Sequence, residues 1–148
     1  MAIEIERKFL VQSDQFKQEA FQHFKIIQGF LNKDPKRTIR IRLKEHKAFL
    51  TIKGISSTDG LSRFEWEKEI PINEAKDLLR LCDDNLIEKT RYLVKQNAHI
   101  FEVDEFEGRL KGLTIAEIEL QSEDEAFDKP NWLGKEVTGN PNYYNSNL

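Results

Sequence analysis

The chain has 148 residues, of which 33% are charged and 39% hydrophobic, and this length suits one folded domain spanning residues 1–148. Lysine and arginine total 23 against 26 aspartate and glutamate, and the resulting net charge of −3 argues against general nucleic-acid binding. The one cysteine allows no intramolecular disulfide, and the lack of a membrane-length apolar run predicts a cytoplasmic protein with no membrane partner.

The first predicted strand, Ile3–Val11, alternates charged and apolar side chains. Neighbouring side chains of a strand point to opposite faces, so Glu4, Glu6 and Lys8 share one face. An isolated charged face of this kind is typical of a solvent-exposed strand. Similar charged faces recur on later strands of this chain, however, and this recurrence favours a role beyond solvent exposure.

A short helix is predicted over residues 15–21, with Ser13 or Asp14 as its N-cap, and a second strand follows over residues 24–32. Within that strand, residues 28–31 read Gln-Gly-Phe-Leu. The helix is expected to be only a connector between the two strands.

Two basic strands come next. The third strand, over residues 37–44, places Arg40 and Arg42 in phase, and the fourth, over residues 48–53, ends at Lys53. Like charges aligned on one face repel each other unless an anion lies between them. These strands therefore indicate a surface that binds an anion.

An acidic strand and a second helix follow. The fifth strand, over residues 62–70, places Glu65 and Glu67 in phase, which repeats the Glu-x-Glu spacing of the first strand. Pro71 ends this strand, and Asn73 is the predicted N-cap of a helix whose apolar residues recur at helical spacing. That helix is expected to pack its apolar stripe on a sheet.

Three more strands are predicted over residues 86–95, 100–106 and 114–121, and each carries charge on one face. The sixth strand is basic, whereas the seventh and eighth are acidic. The charged residues in phase on these strands are, in order, Lys89 and Arg91, Glu102 and Asp104, and Glu117 and Glu119.

About eight antiparallel strands with one charged face each fit two architectures. In the first, the charged faces are solvated and the apolar faces form the core of a sheet or sandwich. In the second, the sheet closes into a tunnel-like barrel whose charged faces line the lumen, while a few outer helices cover the apolar outside. Acidic and basic residues segregate to different strands, which favours a lumen that binds a polyanion together with divalent cations.

Taken together, these motifs resemble the CYTH superfamily, also called triphosphate tunnel metalloenzymes. The resemblance covers nearly the whole chain and rests on the Glu-x-Glu-x-Lys start, the Arg-x-Arg and Thr-x-Lys strands, the Lys-x-Arg pair and the later Glu-x-Glu strands. Residues 28–31 resemble the family's Gln-Gly-Tyr-Leu with Phe30 in place of tyrosine, which leaves the identity of any general acid open. Residues 132–139 resemble the segment before the family's last helix, and the short stretch after them is expected to leave one tunnel mouth more open.

The resemblance implies a mainly β (α+β) fold, a closed antiparallel tunnel that binds a triphosphate with Mg²⁺ or Mn²⁺ as cofactor. A carboxylate or a second ion would orient and deprotonate the attacking water. The residues implied to bind triphosphate are Lys8, Arg40, Arg42, Lys53, Lys89 and Arg91. Those implied to hold metal are Glu4, Glu6, Glu65, Glu67, Asp104, Glu117 and Glu119, with Glu102 as a weaker candidate. Those implied to be catalytic are Glu6, Glu119, Lys8 and Lys89.

The expected activity is metal-dependent hydrolysis of inorganic tripolyphosphate to diphosphate and phosphate, which small bacterial-type relatives with this motif set commonly catalyse. The alternatives are hydrolysis of thiamine triphosphate or a nucleoside triphosphate, an adenylate cyclase of class IV type, and a non-catalytic polyphosphate-binding module. Intact acidic doublets argue against a pure binder, which needs the basic residues more than the carboxylates. A homodimer is compatible with the sequence but is not required by it.

Overall fold

The computed structural model describes residues 3–82 and 86–148, and in this part of the chain nine strands form one antiparallel sheet. Two short helices connect some of the strands. The strands are β1 (Ile3–Val11), β2 (Gln22–Asn32), β3 (Arg37–Lys44), β4 (Lys47–Ser56), β5 (Ser62–Ile70), β6 (Ile87–Gln96), β7 (His99–Phe106), β8 (Thr114–Glu119) and β9 (Leu133–Glu136). The helices are α1 (Phe16–Glu19) and α2 (Ile72–Leu79).

The sheet closes because β1 pairs with β8 along one edge and with β5 along the other. Residues 3–5 of β1 pair with residues 62–64 of β5, and residues 6–10 pair with residues 115–119 of β8. The order β5-β4-β3-β2-β6-β7-β8-β1 therefore returns to β5 as an eight-stranded ring. The ninth strand, β9, pairs with the second half of β1 outside this ring. The predicted closed antiparallel barrel is confirmed.

The charged faces of the strands meet inside the barrel. The register pairs Lys53 with Glu65 across β4 and β5, and Arg91 with Asp104 across β6 and β7. Directly paired residues of neighbouring strands point to the same face, so acidic and basic rows enter the lumen together. The alternation along each strand thus places charge inside the barrel and apolar side chains outside it.

The hydrophobic core lies outside the barrel wall. One cluster covers β1, β6, β7 and β8, where the fully buried rings of Phe16 in α1 and Trp132 before β9 pack edge to face at 5.9 Å. A second cluster, around Ile41 and Ala75, forms where α2 packs on β2, β3 and β4. The helices therefore cover part of the apolar exterior, as expected, whereas Trp66 on β5 remains 42% exposed.

One end of the lumen is apolar, because β6, β7 and β8 each place a buried hydrophobic residue there. The tail, defined as residues 137–148, crosses this end in two 3₁₀ turns, and its Tyr143 and Leu148 pack against the buried residues. The tail therefore closes this mouth instead of leaving it more open. The buried hydrophobic residues that β6, β7 and β8 place at this end are Ile87, Phe106 and Ile115, in that order.

Of the two predicted helix caps, that of α2 is not formed. At the start of α1, the Ser13 Oγ accepts a hydrogen bond from the backbone N–H of Gln15 at 3.4 Å, and the backbone carbonyl of Asp14 accepts from that of Lys17. The N-cap of α2 is Pro71, so Asn73 lies within the first turn of that helix. The reason is that α2 begins directly after β5, with no loop in which a polar cap could lie. Neither described helix has the length and hydropathy needed to cross a membrane.

The core placement of Trp132 gives a stability prediction. Trp132→Ala is expected to lower the free energy of unfolding by about 3–5 kcal/mol, because removing a fully buried indole leaves a cavity. Trp66→Ala is the matched control and should cost about 1 kcal/mol, since Trp66 is partly exposed. Urea denaturation followed by circular dichroism measures both losses. Equal losses in the two variants would contradict the core role of Trp132.

Candidate functional site

A cavity of about 220 Å³ lies in the lumen, next to β1, β3, β4 and β5. Most of its lining is charged, which suits a charged ligand. Three of the sequence-predicted residues, Lys89, Asp104 and Glu119, do not line it. The predicted residues that do line it are Glu4, Glu6, Lys8, Arg40, Arg42, Lys53, Glu65, Glu67, Arg91, Glu102 and Glu117.

Glu6 and Glu117 form the centre of the acidic side of the cavity, where β1 and β8 run side by side. Burial raises the pKa of Glu6 well above its ordinary value, and the charges of Glu117 and Glu4 raise it further. Burial also opposes ionisation of Glu117, but Lys8 and a hydrogen bond with Glu6 outweigh it and lower the pKa of Glu117 to about 2. The two neighbouring carboxyl groups therefore have pKa values shifted in opposite directions, upward for Glu6 and downward for Glu117.

Lys53 ties two carboxylates together on the same side. Its Nζ donates to Glu4 Oε1 at 2.9 Å and lies 3.3 Å from Glu65 Oε2. Burial lowers the pKa of Lys53, but the charges of Glu4 and Glu6 outweigh burial and raise it overall. Lys53 was expected to bind an anion, and in this structure its partners are carboxylates.

Arg40 and Arg42, in phase on β3, form the basic side of the cavity. Arg40 Nη2 donates to Thr51 Oγ1 at 3.2 Å and lies 3.7 Å from Glu67 Oε2. The buried Nε of Arg40 has no hydrogen-bond partner within the described part of the chain. A buried N–H without an acceptor costs about 1–3 kcal/mol, so this atom is suited to an oxygen of an anionic ligand. Burial lowers the pKa of both guanidinium groups, that of Arg42 to about 9.

Asp104 joins Arg91 and Lys89 in a buried ion-pair network. Arg91 donates from Nε and Nη2 to the two oxygens of Asp104 at 2.7 and 2.9 Å, and Lys89 Nζ lies 2.7 Å from Oδ2. Burial would raise the pKa of Asp104, but the charges of Arg91 and Lys89 outweigh it and hold that pKa well below its ordinary value. The structure thus places Asp104 in an ion pair away from the cavity, where both of its oxygens are engaged by cations instead of open to a metal.

Two of the predicted triphosphate-binding lysines contact the tail. Lys8 Nζ donates to the backbone carbonyl of Tyr143 at 3.0 Å, and Lys89 Nζ donates to Asn145 Oδ1 at 2.8 Å. Burial lowers the pKa of Lys89, which the charge of Asp104 opposes. Lys89 is 0% exposed and does not line the cavity, so it does not face a ligand there.

Glu119 lies at the edge of the acidic side. It pairs with Glu6 across β1 and β8, and its side chain is exposed. Partial burial raises the pKa of Glu119, and the charges of Glu4 and Glu102 raise it further. Glu119 therefore belongs to the same electrostatic cluster although it does not line the cavity.

Two groups of cavity residues were missed from the sequence. Arg63 lies on β5 in phase with Glu65, and its guanidinium donates to the backbone carbonyl of Gly54 at 2.7 Å. Strand alternation places Arg63 on the charged face of β5, but the family resemblance gave it no role. The tail residues Tyr144 and Asn145 also line the cavity, and no periodic signal could have placed them there.

The acidic side has the chemistry of a site for a hard divalent cation, because Mg²⁺ and Mn²⁺ take oxygen ligands. Burial raises the pKa of Glu6, and the charges of Glu117 and Glu4 raise it further; an added cation opposes both effects. As arranged among the described residues, no three carboxylate, histidine or cysteine side chains enclose one metal position. The donor set thus fits a divalent cation, while Lys53 and Lys8 hold these carboxylates in the present arrangement.

The chain is similar in sequence to known proteins over almost its whole length. A CYTH domain profile matches residues 2–146. An inorganic triphosphatase of Acetivibrio thermocellus is 46% identical over 149 residues, which cover 100% of this chain and 94% of that protein. An inorganic triphosphatase of Nitrosomonas europaea is 38% identical over 150 residues, which cover 98% of this chain and 95% of that protein.

Solved structures share the architecture. The crystal structure of an inorganic triphosphatase superposes with a TM-score of 0.66 at 33% identity, covering 97% of this chain and 95% of that chain. A protein of Pyrococcus horikoshii superposes with a TM-score of 0.64 at 22% identity, covering 82% of this chain and 80% of that chain. The second match supports the fold alone.

The ion-pair network predicts a large cost for neutralising Asp104. Asp104→Asn is expected to lower the free energy of unfolding by about 3–5 kcal/mol, because the buried Lys89 would lose its carboxylate partner and Arg91 would keep only its pair with the partly exposed Glu102. Glu102→Gln is the control, since its side chain is 38% exposed and its loss should cost about 1 kcal/mol at most. Urea denaturation in the presence of a chelator measures both, so no bound metal contributes. Wild-type stability of Asp104→Asn under these conditions would overturn the ion-pair role.

Proposed function

Because this chain belongs to the CYTH family, we propose that it is a metal-dependent hydrolase that converts inorganic tripolyphosphate to diphosphate and phosphate in its lumen. The observation that carries this proposal is the cavity, in which guanidinium groups of β3 and carboxylates of β1 line the same space. A triphosphate with its divalent cation presents both the negative and the positive charge that such a space accommodates. The two inorganic triphosphatases that match the chain over nearly its whole length support the same activity.

The guanidinium groups of Arg40, Arg42 and Arg91 are proposed to bind the phosphate oxygens. All three line the cavity. A guanidinium has five N–H donors, and the contacts of Arg42 with Gln28 and of Arg91 with Asp104 and Glu102 use only some of them, so donors remain for phosphate. A phosphate oxygen at Arg40 Nε would supply the acceptor that this buried donor otherwise lacks within the described residues. Lys8 also lines the cavity and would stabilise the negative charge of the departing diphosphate.

The carboxylates of the acidic side are proposed to hold Mg²⁺ or Mn²⁺ through their oxygens. Bound there, the cation supplies charge neutralisation for the transferring phosphoryl group. Asp104 is left out of the proposed ligands, because Arg91 and Lys89 engage both of its oxygens. The proposed ligands are Glu4, Glu6, Glu65, Glu67, Glu117 and Glu119.

Glu119 is the proposed proton acceptor, and Glu6, which pairs with it across β1 and β8, is proposed to orient the attacking water. The water oxygen forms a bond to the terminal phosphorus, the bridging P–O bond breaks, and diphosphate leaves in line. The proton of the water passes to the carboxylate of Glu119. The raised pKa of Glu119 makes it a better proton acceptor than an ordinary glutamate.

We also propose a cytoplasmic location and a homodimer. The proposed activity requires neither. Sedimentation equilibrium of the purified chain tests the homodimer.

The proposed activity is tested by phosphate release from tripolyphosphate, ATP and thiamine triphosphate, each with Mg²⁺, Mn²⁺ or a chelator. We expect metal-dependent release from tripolyphosphate and slower release from the other two, because the cavity lining is charged and suits the phosphate chain itself. Cyclic AMP formation from ATP would replace the hydrolase with an adenylate cyclase. Binding of tripolyphosphate without release would replace it with a binding module.

Two substitutions test the proposed roles within the cavity. Arg40→Ala and Glu6→Gln are each expected to lower kcat/KM for tripolyphosphate by at least about 10²-fold, because each removes a charge that contacts the reacting group or its cation. Glu69→Gln is the matched control, since Glu69 lies on the same strand face as Glu65 but is exposed and does not line the cavity. Wild-type turnover and metal response of Glu6→Gln would remove Glu6 from the site.

A further inference from the structure

Gln28 is a fully buried amide on β2, beside the basic side of the cavity. Its Oε1 accepts two hydrogen bonds from Arg42, one from Nε at 2.9 Å and one from Nη2 at 2.8 Å. The two residues are also direct partners in the register of β2 and β3. One edge of the Arg42 guanidinium is therefore held by Gln28, which leaves the Nη1 donors for a ligand in the cavity that Arg42 lines.

The other end of the Gln28 amide reaches the tail. Gln28 Nε2 donates to Asn145 Oδ1 at 2.9 Å, and the same oxygen accepts from Lys89 Nζ at 2.8 Å. The two amides thus form a continuous bridge between Arg42 and Lys89. Residues 28 and 145 come from distant parts of the chain, so this bridge also joins the barrel wall to the tail.

The chemistry of the bridge matters because an amide carries no net charge. A carboxylate at position 28 would accept the same two hydrogen bonds from Arg42, but it would cancel the positive charge of the guanidinium. The neutral amide orients Arg42 and leaves its charge available to an anion. Asp104 already compensates Lys89 on another side, and Asn145 adds an acceptor to Lys89 without adding a second negative charge.

We propose that Gln28 is a positioning residue for triphosphate binding, which acts through Arg42 and is itself held by Asn145. This inference rests on the proposed function, since it assigns Arg42 to the triphosphate. A purely structural role for the same amide would require only that its hydrogen bonds be satisfied. The positioning role and the purely structural role predict different KM values for a variant with a carboxylate of the same shape at position 28.

The test compares Gln28→Leu with Gln28→Glu. Gln28→Leu leaves Arg42 without its orienting acceptor and is expected to raise KM for tripolyphosphate about 10-fold, with a smaller change in kcat. Gln28→Glu keeps the shape and the acceptor for Arg42, replaces the Nε2 donor to Asn145 by an oxygen and adds a negative charge, so it is expected to raise KM about 100-fold. Thermal denaturation is expected to rank the variants in the opposite order, with Gln28→Glu the more stable of the two. A purely structural role predicts the smaller KM change for the more stable variant, and that result would overturn the proposal.

The tail arm of the bridge provides a second variant that does not alter the barrel wall. Asn145→Ala is expected to raise KM about 3-fold, and Gln28→Leu combined with Asn145→Ala is expected to raise it no more than Gln28→Leu alone, because both act through Arg42. Gln12→Leu is the matched control, since Gln12 Nε2 donates to the backbone carbonyl of Asn131 away from the cavity. Additive effects of the two bridge substitutions would contradict the bridge. If Gln28→Leu does not fold, an unchanged KM in both Asn145→Ala and Gln28→Glu would contradict it as well.

Failure of this inference is distinguishable from failure of the proposed function. Isothermal titration of the wild-type protein with tripolyphosphate in a chelator, alongside phosphate release with Mg²⁺, establishes binding and turnover separately. Wild-type protein that neither binds nor hydrolyses tripolyphosphate would overturn the proposed function and this inference with it. Wild-type protein that does both, with Gln28→Leu and Gln28→Glu equal to it in affinity and KM, would overturn the role of Gln28 alone.

Discussion

Closing the sheet brings rows of charge into one lumen, where each charge needs a partner of opposite sign. An uncompensated ion in such a space costs several kcal/mol, and a row of carboxylates beside a row of ammonium and guanidinium groups offsets part of that cost. The pairs of Lys53 with Glu4, and of Arg91 with Asp104, meet this requirement between strands that are adjacent in the ring or one strand apart. The hydrophobic core is accordingly on the outside, between the barrel, the two helices and the loop that carries Trp132.

The same compensation explains how the lumen can receive a charged substrate. The carboxylates that pair with lysine and arginine in this structure can instead bind a divalent cation. The lysine and arginine side chains can then bind the negatively charged polyphosphate. The pairing of charges is incomplete at two places. Arg40 Nε has no hydrogen-bond acceptor among the described residues, and the pKa of Glu6 is raised. These places lie on the basic and the acidic side of one cavity, which is where a triphosphate and its cation would complete the pairing. The proposed activity and the stability of the barrel therefore depend on the same set of charges.

Strand alternation predicted which residues face the lumen but not how far along it each one lies. Arg91 and Lys89 are in phase on β6, yet only Arg91 lines the cavity, because Lys89 lies two residues closer to the apolar end. Asp104 faces the lumen as expected, but its register with Arg91 commits it to an ion pair. The depth of a residue depends on strand stagger around the ring, and a two-residue period carries no information about stagger.

The sequence by itself determined the strands and their charged faces, since alternation is a local property of the chain and the bounds of β1, β3 and β5 follow from it directly. The family resemblance added the closed tunnel and the expected chemistry. Only the tertiary structure decided where the tail goes, because its contacts join residues far apart in the chain, such as Gln28 and Asn145, which are 117 positions apart. Such contacts depend on closure of the ring and on the apolar end that it creates, and neither leaves a periodic pattern in the tail.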